Sequence, residues 1–526
     1  MKRLPIGISD FRELVKGNYV YVDKTKYIYE LVSSSKYVFL SRPRRFGKSL
    51  LLSTIRYIYE GKRDLFKGLY IEDKWDWEER YPVIKIDFSV DIREGKKIYE
   101  RIKEELELNY ARYEIEMDKE KDIPGNFKKL IIELNKKYKK QVVVLIDEYD
   151  KPILDLIEDK KQAEEVRRIL KEFYSVLKGM DEYIRFVLVT GVSKFAKVSL
   201  FSGLNQLEDI SLDKRYGDIC GYTQEELENY FKEYLEGVNI EEVKEWYNGY
   251  NFLANKVYNP FDVLLYLRKK EIRNYWYETG RTEFLFKIIK QKNFDLPYLH
   301  KKYYTSEILE KFDILSYNFE NTSLVIEYIS IEALMFQTGY LTIKEEYKYE
   351  NEEVLYSLDY PNKEVRKSFN SEILFYITGD YQVDKTTLIS LAFKRENLEE
   401  IREQIEVFIN SISYEVLKNE YVYSAAIYGL VYATGLNVII EDNTSKGRID
   451  LTIIVDKKVV YIFHITFVIM EFKVLENEKE KGKALKQIRE KEYHKKYLNY
   501  DKIYLVGMEF DKVNKNLVNF EYELLF

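Results

Sequence analysis

The run Arg42-Pro43-Arg44-Arg45-Phe46-Gly47-Lys48-Ser49 lies between a short apolar stretch, Tyr37 to Leu40, and a helix-like segment, Ser49 to Tyr59. Residues of these types in this order capture phosphate. Backbone N–H groups at a helix start hold anionic oxygens, the Lys48 ammonium reaches the β- and γ-phosphates, and the Ser49 hydroxyl ligates magnesium. The candidate nucleotide-binding stretch is therefore Arg45, Phe46, Gly47, Lys48, Ser49 and Leu50. The full phosphate-loop pattern has glycine five residues before Gly47, where this chain has Arg42, so context must decide. Context is supplied at Val142 to Glu148, an apolar strand ending in Asp147-Glu148. There Asp147 orients magnesium through water and Glu148 polarises the attacking water. A further apolar run ends at Thr190, either a γ-phosphate sensor or a strand-end hydroxyl. Arg42, Arg44 and Arg45 are open to three readings: phosphate contacts, a finger toward a neighbour, or a solvated basic turn.

Such a site needs a sheet beneath it. Pro82 to Phe88, Gln141 to Ile146 and Ile184 to Thr190 are buried-type strands separated by charged helical segments such as Lys96 to Tyr113, which argues for a parallel sheet covered on both faces. A strand between the phosphate loop and the acidic pair suits the arrangement in which their two strands are not neighbours. This α/β domain is expected over 1–215. Helices follow over 216–290 as a lid, opened by Thr223 and Glu226 in capping-box spacing. Over 291–410 the order is helix (Ile331 to Gly339), strand, turn (Glu350 to Glu353), strand and helix from Asn362, compatible with a winged-helix-like unit. The remainder, 411–526, is mixed α/β. The uncharged stretch Tyr421 to Ile440 is read as a buried helix and a strand divided near Gly435, not as a membrane span.

Composition narrows the class. With 84 Lys plus Arg against 90 Asp plus Glu and a net charge of -6, no global basic field announces nucleic acid, so any polyanion site is local. One cysteine, Cys220, removes both a disulfide framework and a cysteine zinc site and suits a reducing, cytoplasmic setting. The start, MKRLPIGISDFREL, has no apolar core of the secretory kind.

LPIGISDF, YVDKTKYIYEL, FLSRPRRFGKS, LIDEYDKPI and LVTGVSKF with SLFSGLN together resemble the AAA-ATPase-like domain family, found fused to a C-terminal PD-(D/E)XK nuclease-like domain. The resemblance covers essentially the whole chain, and RPRRFGKS is the loop form that family carries. It implies ATP as the nucleotide, with magnesium, and a P-loop sheet followed by a restriction-endonuclease-like domain. Asp23, Lys24 and Thr25 match a family motif to which the sequence assigns no role.

For the C-terminal domain the resemblance implies an Asp on one hairpin arm and a Glu-x-Lys on the other, binding one or two magnesium ions while the Lys helps activate water. Asp450, Glu471 and Lys473 fill these places, Glu420 is a further candidate ligand, and Gln487 with Tyr493 resembles the family's following helix. The spacing departs from the pattern. Reflected through a turn centred on Lys457, Asp450 falls opposite His464, and Glu471 lies seven residues further on. Seven is odd, so on a regular strand Glu471 and Lys473 take the face opposite His464 and Thr466. Three readings follow: a looped insertion that keeps the site, a re-registered hairpin with a changed site, or an inactivated module with His464 and Thr466 in the old positions.

Two functions are carried forward. The first is an ATP-hydrolysing protein controlling a magnesium-dependent DNA endonuclease domain, with nucleic acid as partner, no membrane, and self-association left open. The second is an ATP-switched nucleic-acid or protein binding regulator whose nuclease domain is degenerate.

Overall fold

A computed structural model describes the chain except residues 91–96, 157–158, 195–199, 202–205, 281–284, 287–302, 306–307, 310–329, 349–353, 380–382, 413–419, 469–481, 512–515 and 526. Two compact units result: Met1–Lys292 with Lys302–Asn362, and Lys363–Phe526.

The first unit is built on five parallel strands, β1 (Tyr37–Ser41), β2 (Val83–Asp87), β3 (Val142–Asp147), β4 (Ile184–Gly191) and β5 (Glu208–Asp209), in the order β2-β3-β4-β1-β5. Every residue of β1 and β3 is buried, as the apolar runs Tyr37 to Leu40 and Val142 to Ile146 require of a sheet covered on both faces. The order sets β4 between the phosphate-loop strand β1 and the acidic strand β3, the separated arrangement expected from sequence. Register aligns their C-terminal ends: Ser41 pairs with Gly191, Ile146 with Val189, and Asp87 with Asp147. The functional side chains therefore leave the sheet along one edge.

The helical segment opens as expected. Thr223 Oγ1 accepts the Glu226 N–H at 3.2 Å while Glu226 Oε2 accepts the Thr223 N–H at 2.8 Å, a complete capping box on the helix Gln224–Tyr230. The helices Ile240–Tyr247 and Pro260–Lys269 share a core with it, which Val20 and Val22 of the N-terminal arm enter. A two-stranded ribbon, β6 (Tyr222–Thr223) with β7 (Val257–Tyr258), ties the two ends of this region.

The middle region is divided where the sequence reading had kept it whole. The helix Ile331–Thr338 and the hairpin of β9 (Thr342–Lys348) and β10 (Val354–Asp359) are present, with β8 (Tyr303–Thr305) added on the far side of β10. The turn expected at Glu350 to Glu353 lies outside the described residues. The helix Lys363–Thr378, which would close a winged-helix unit, belongs instead to the second compact unit, where it packs on the helix Glu420–Ala433. A short hairpin has too little apolar surface of its own to hold that helix against the larger core on offer.

The second unit carries a sheet ordered β11-β12-β13-β14-β15, comprising Asn437–Thr444, Gly447–Val455, Val459–Val468, Lys502–Asp511 and Leu517–Leu524. All neighbours are antiparallel except β13 and β14. The helices Val383–Lys394, Leu398–Asn410 and Glu420–Ala433 join a core with Leu451, Phe463 and Val506 on one face. On the other face the helix Lys483–Glu490 packs on Ile462, Ile503 and Leu505. The stretch from Tyr421 resolves into helix, turn and strand, with Gly435 at φ 76° making the turn.

Gly507 is where β14 meets that last helix, since a Cβ there would lie 2.5 Å from the Leu485 backbone nitrogen. Gly507→Ala is expected to destabilise the second unit by about 1–3 kcal/mol, the usual cost of overpacking, read as a lowered urea midpoint with an unchanged slope.

Candidate functional site

The phosphate loop is held from beneath by its own first residue. Arg42, only 1% exposed, donates from Nη1 to the carbonyls of Ser41 (2.9 Å) and Ser211 (2.8 Å) and from Nη2 to that of Tyr216 (3.1 Å). Its guanidinium also lies 4.1 Å from the Phe252 ring centroid. Burial pushes its pKa down to about 10. Arg42 is thus neither a phosphate ligand nor part of a solvated turn; it stitches the loop to 211–217 and to Phe252. Phe46 is likewise an anchor, packed edge-on against Tyr250 at 4.8 Å and Phe252 at 5.8 Å.

Gly47 takes φ 90° to start the helix Lys48–Tyr59. Lys48 is buried, and its ammonium donates to the carbonyls of Arg42 (2.9 Å) and Pro43 (3.0 Å). Burial lowers its pKa, with the Glu148 and Asp147 carboxylates pulling the other way. Ser49 and Leu50 line a cleft of about 1070 Å³ that also takes in Arg44, Glu148, Asp87 and Cys220. Arg45 is exposed, with its guanidinium 5.1 Å from the Phe261 ring centroid.

Across the sheet edge, Asp147 is 1% exposed, and its Oδ1 accepts both the Thr190 hydroxyl at 2.6 Å and the Glu148 N–H at 3.1 Å. Thr190, open in the sequence to either a γ-phosphate sensor or a strand-end hydroxyl, is fully buried, and its hydroxyl holds the Asp147 carboxylate. Burial pushes the Glu148 carboxyl up, the Lys48 and Arg44 cations opposing and the Asp147 and Asp150 carboxylates adding to the rise. Asp150, which the sequence reading left without a role, accepts the Ser193 N–H and hydroxyl at 2.8 Å each and the Val192 N–H at 3.3 Å. A Cβ at Gly191 would meet the Tyr149 ring at 2.5 Å and Asp150 at 2.7 Å, so LIDEYD and LVTGVSK form one interlocked pair of strand ends.

The Asp23-Lys24-Thr25 motif also acquires a role. Asp23 Oδ1 accepts both the N–H and the hydroxyl of Thr25, at 2.8 and 2.6 Å, in the turn that leads into the helix Thr25–Ser34. Lys24 donates to both oxygens of Glu226 (2.6 and 2.7 Å) and to the Asp218 carbonyl (2.7 Å). The residue that completes the capping box is thereby tied to the N-terminal arm.

In the second unit the register is the one counted from the turn. Leu451 pairs with Phe463 and Val455 with Val459, which sets Asp450 against His464. Asp450 Oδ2 accepts the Ile465 N–H at 2.8 Å and lies 2.5 Å from His464 Nδ1. β13 then runs beside β14 without a register shift through Val468, so neither a bulge nor a slip occurs over Val459–Val468. Asp450 and His464 take the face of the helix Lys483–Glu490, while the helix that Glu420 opens packs on the opposite face. Glu471 and Lys473 lie outside the described residues.

A family model described as "Predicted AAA-ATPase" matches residues 5–201. One described as the PD-(D/E)XK nuclease superfamily matches residues 418–520. An Azotobacter chroococcum mcd 1 protein, described as an uncharacterized protein in the vnfD 5'region, is 39% identical over 536 residues, covering 100% of this chain and 99% of its own length. The chain belongs to the family of AAA-ATPase-like proteins with a C-terminal PD-(D/E)XK nuclease-superfamily domain.

In the ATPase-like domain the structure brings Lys48, Ser49 and Glu148 to one cleft, with Asp147 behind them. In the nuclease-superfamily domain it joins Asp450 to His464, and no cluster of three His, Cys, Asp or Glu that would hold a metal occurs among the described residues. Sequence reasoning missed Asn259 and Trp276, whose Nδ2 and Nε1 donate to the Arg44 carbonyl at 3.3 and 3.2 Å. Asn259-Pro260 is readable as a helix start, but nothing local links it to a residue more than two hundred positions earlier.

Arg42→Met removes the donors of three carbonyls and is expected to cost at least about 1–3 kcal/mol, the price of one buried polar group left unpaired. Chemical denaturation of the first unit measures it, and a loss below about 0.5 kcal/mol, within the range of ordinary surface substitutions, would contradict the stitch.

Proposed function

We propose that the N-terminal unit binds and hydrolyses ATP and thereby governs the action of the C-terminal domain on nucleic acid, with DNA as the expected substrate. One observation carries the ATPase half. A glycine-started helix presents Lys48 and Ser49 to the cleft that Glu148 lines from the strand end holding Asp147. The Lys48 ammonium rests on two loop carbonyls, a site that phosphate oxygens would take over. Ser49 and Asp147 are the residues that would hold magnesium: both are oxygen donors, and the two bonds Asp147 accepts fall on Oδ1. Bound magnesium neutralises charge on the β- and γ-phosphates. Glu148, its carboxyl pushed up by burial, is suited to take the proton of the attacking water.

For the C-terminal domain the superfamily membership supports nucleic-acid binding and metal-dependent cleavage. The regular β13 and the Asp450–His464 contact favour a second reading, in which the domain grips nucleic acid or protein without cutting. Both readings place the protein in the cytoplasm, in keeping with the lone, buried Cys220. Among the described residues no helix is long and apolar enough to cross a membrane.

Lys48→Ala is expected to abolish ATP binding, whereas Glu148→Gln keeps binding and loses about 10²–10⁴-fold in turnover. Isothermal titration with a non-hydrolysable ATP analogue and phosphate release together check this; equal binding by wild type and Lys48→Ala would sink the ATPase reading. For the second domain, supercoiled plasmid and single-stranded DNA are incubated with magnesium or manganese, with and without ATP. Cutting that Asp450→Ala and EDTA both abolish establishes the nuclease. DNA binding that persists in Asp450→Ala without any cutting by wild type establishes the second reading.

A further inference from the structure

The three arginines of the phosphate loop occupy three different environments. Arg42 is sealed among carbonyls beneath the loop, and Arg45, which also lines the cleft, is exposed with its guanidinium over Phe261. Arg44 is half-buried and lines the same cleft as Lys48, Ser49 and Glu148, close enough for its charge to act on the Glu148 carboxylate. Its backbone is fixed from another part of the unit. The Arg44 carbonyl accepts the Asn259 amide at 3.3 Å and the Trp276 indole N–H at 3.2 Å. Each clamping residue is itself rigidly held. Asn259 is fully buried and caps the helix Pro260–Lys269 through its Oδ1, which accepts the Phe261 N–H at 2.9 Å; Trp276 is fully buried against Tyr340 at 5.2 Å. A cleft-lining arginine with a doubly clamped main chain extends its side chain from a fixed point beside Lys48 and Glu148.

Phosphoryl transfer asks for such a donor. Negative charge spreads over the γ-oxygens in the transition state, and Lys48 is one compact charge that must also serve the β-phosphate. A guanidinium supplies a planar fork that matches two phosphate oxygens.

We propose that Arg44 is an arginine acting in cis on the γ-phosphate, positioned through its carbonyl by Asn259 and Trp276 of the helical region. The proposal rests on the ATPase reading above. In the step it serves, the oxygen of water bonds to the γ-phosphorus as the bond to the β–γ bridging oxygen breaks. The electron pair leaves with ADP, inorganic phosphate forms, and the proton of the water passes to Glu148 and then to solvent. Arg44 keeps its protons throughout and only donates hydrogen bonds.

The test measures ATP binding and single-turnover hydrolysis on the full chain for wild type, Arg44→Ala, Arg44→Lys and Trp276→Phe, with melting curves to confirm that each is folded. Arg44→Ala is expected to lose about 10³-fold or more in turnover, the lower range for a removed arginine finger, with the ATP dissociation constant changed less than about tenfold. Guanidinium ion added to Arg44→Ala restores part of the rate, and added to Lys48→Ala restores none. Arg44→Lys, which keeps the charge and loses the fork, falls between wild type and Arg44→Ala. Trp276→Phe keeps an aromatic ring and loses the N–H, and it lowers turnover while leaving affinity in place. Turnover in Arg44→Ala within about threefold of wild type, or a loss matched by lost affinity with no guanidinium rescue, overturns the role of Arg44 while leaving the ATPase standing. Recovery of turnover on mixing Arg44→Ala with Lys48→Ala chains overturns action in cis. Absence of hydrolysis in wild type overturns the ATPase reading and this inference together.

Discussion

Taking an arginine out of water is costly unless its donors are met, and at the foot of the phosphate loop the first unit buries Arg42 with both of its Nη groups bonded to carbonyls. Arg42 must find carbonyls at 211 and 216, and it finds an aromatic face at Phe252. That single requirement draws the chain after β5 and the loop before β7 under the phosphate loop. Phe46 then closes on Tyr250 and Phe252, and the Gly221 N–H reaches the Phe46 carbonyl at 3.3 Å. The loop so gripped lacks the glycine that usually opens it, because a side chain in that place is what the grip is made of. A second buried cation, Lys24, repeats the solution on the other wall, where two carboxylate oxygens and a carbonyl satisfy it.

The same physics explains the paired strand ends. Asp150 is fully buried, and it accepts two backbone N–H groups and a hydroxyl from the turn after β4. Thr190 on that strand meanwhile fixes Asp147. β4 therefore acts as a template between the two chemical strands: one of its residues aims the acidic pair, and its next turn locks the acidic strand in place. A γ-phosphate sensor at Thr190 and this aiming role are competing uses of one hydroxyl. In this structure the hydroxyl donates to Asp147 at 2.6 Å.

Much of this was legible because it is local. Continuous apolar runs name the buried parallel strands, a lysine at the junction of strand and helix names the phosphate loop, and Thr223 with Glu226 names a helix start. The hairpin register was legible for the same reason: Lys457 centres the turn, and the alternation of side chains carries that position outward along both arms. What stayed hidden is set at long range. No spacing rule links Arg42 to 211–217, Arg44 to Trp276, or the helix Lys363–Thr378 to a core other than that of the hairpin before it. Those choices follow from which surface offers the most satisfied burial once everything else has folded.

The nuclease-superfamily hairpin shows the limit from the other side, where local rules alone fix the register. β13 is paired on both edges, antiparallel to β12 and parallel to β14, and the second ladder holds ten successive residue pairs without a shift. Its even-numbered residues Val460 and Ile462 bury against the helix Lys483–Glu490, and the odd-numbered Tyr461 and Phe463 enter the other core. Slipping the strand by an odd number would turn both sets to the wrong face and break two ladders, a cost of many buried side chains. The offset of Glu471 from the place opposite Asp450 is seven, and nothing within Val459–Val468 absorbs it. Asp450 instead meets His464 at the position the register dictates, with the Ile465 N–H on the same carboxylate oxygen. Within the described hairpin the neighbour of Asp450 is an imidazole, and the strand's two cores fix the register that puts it there.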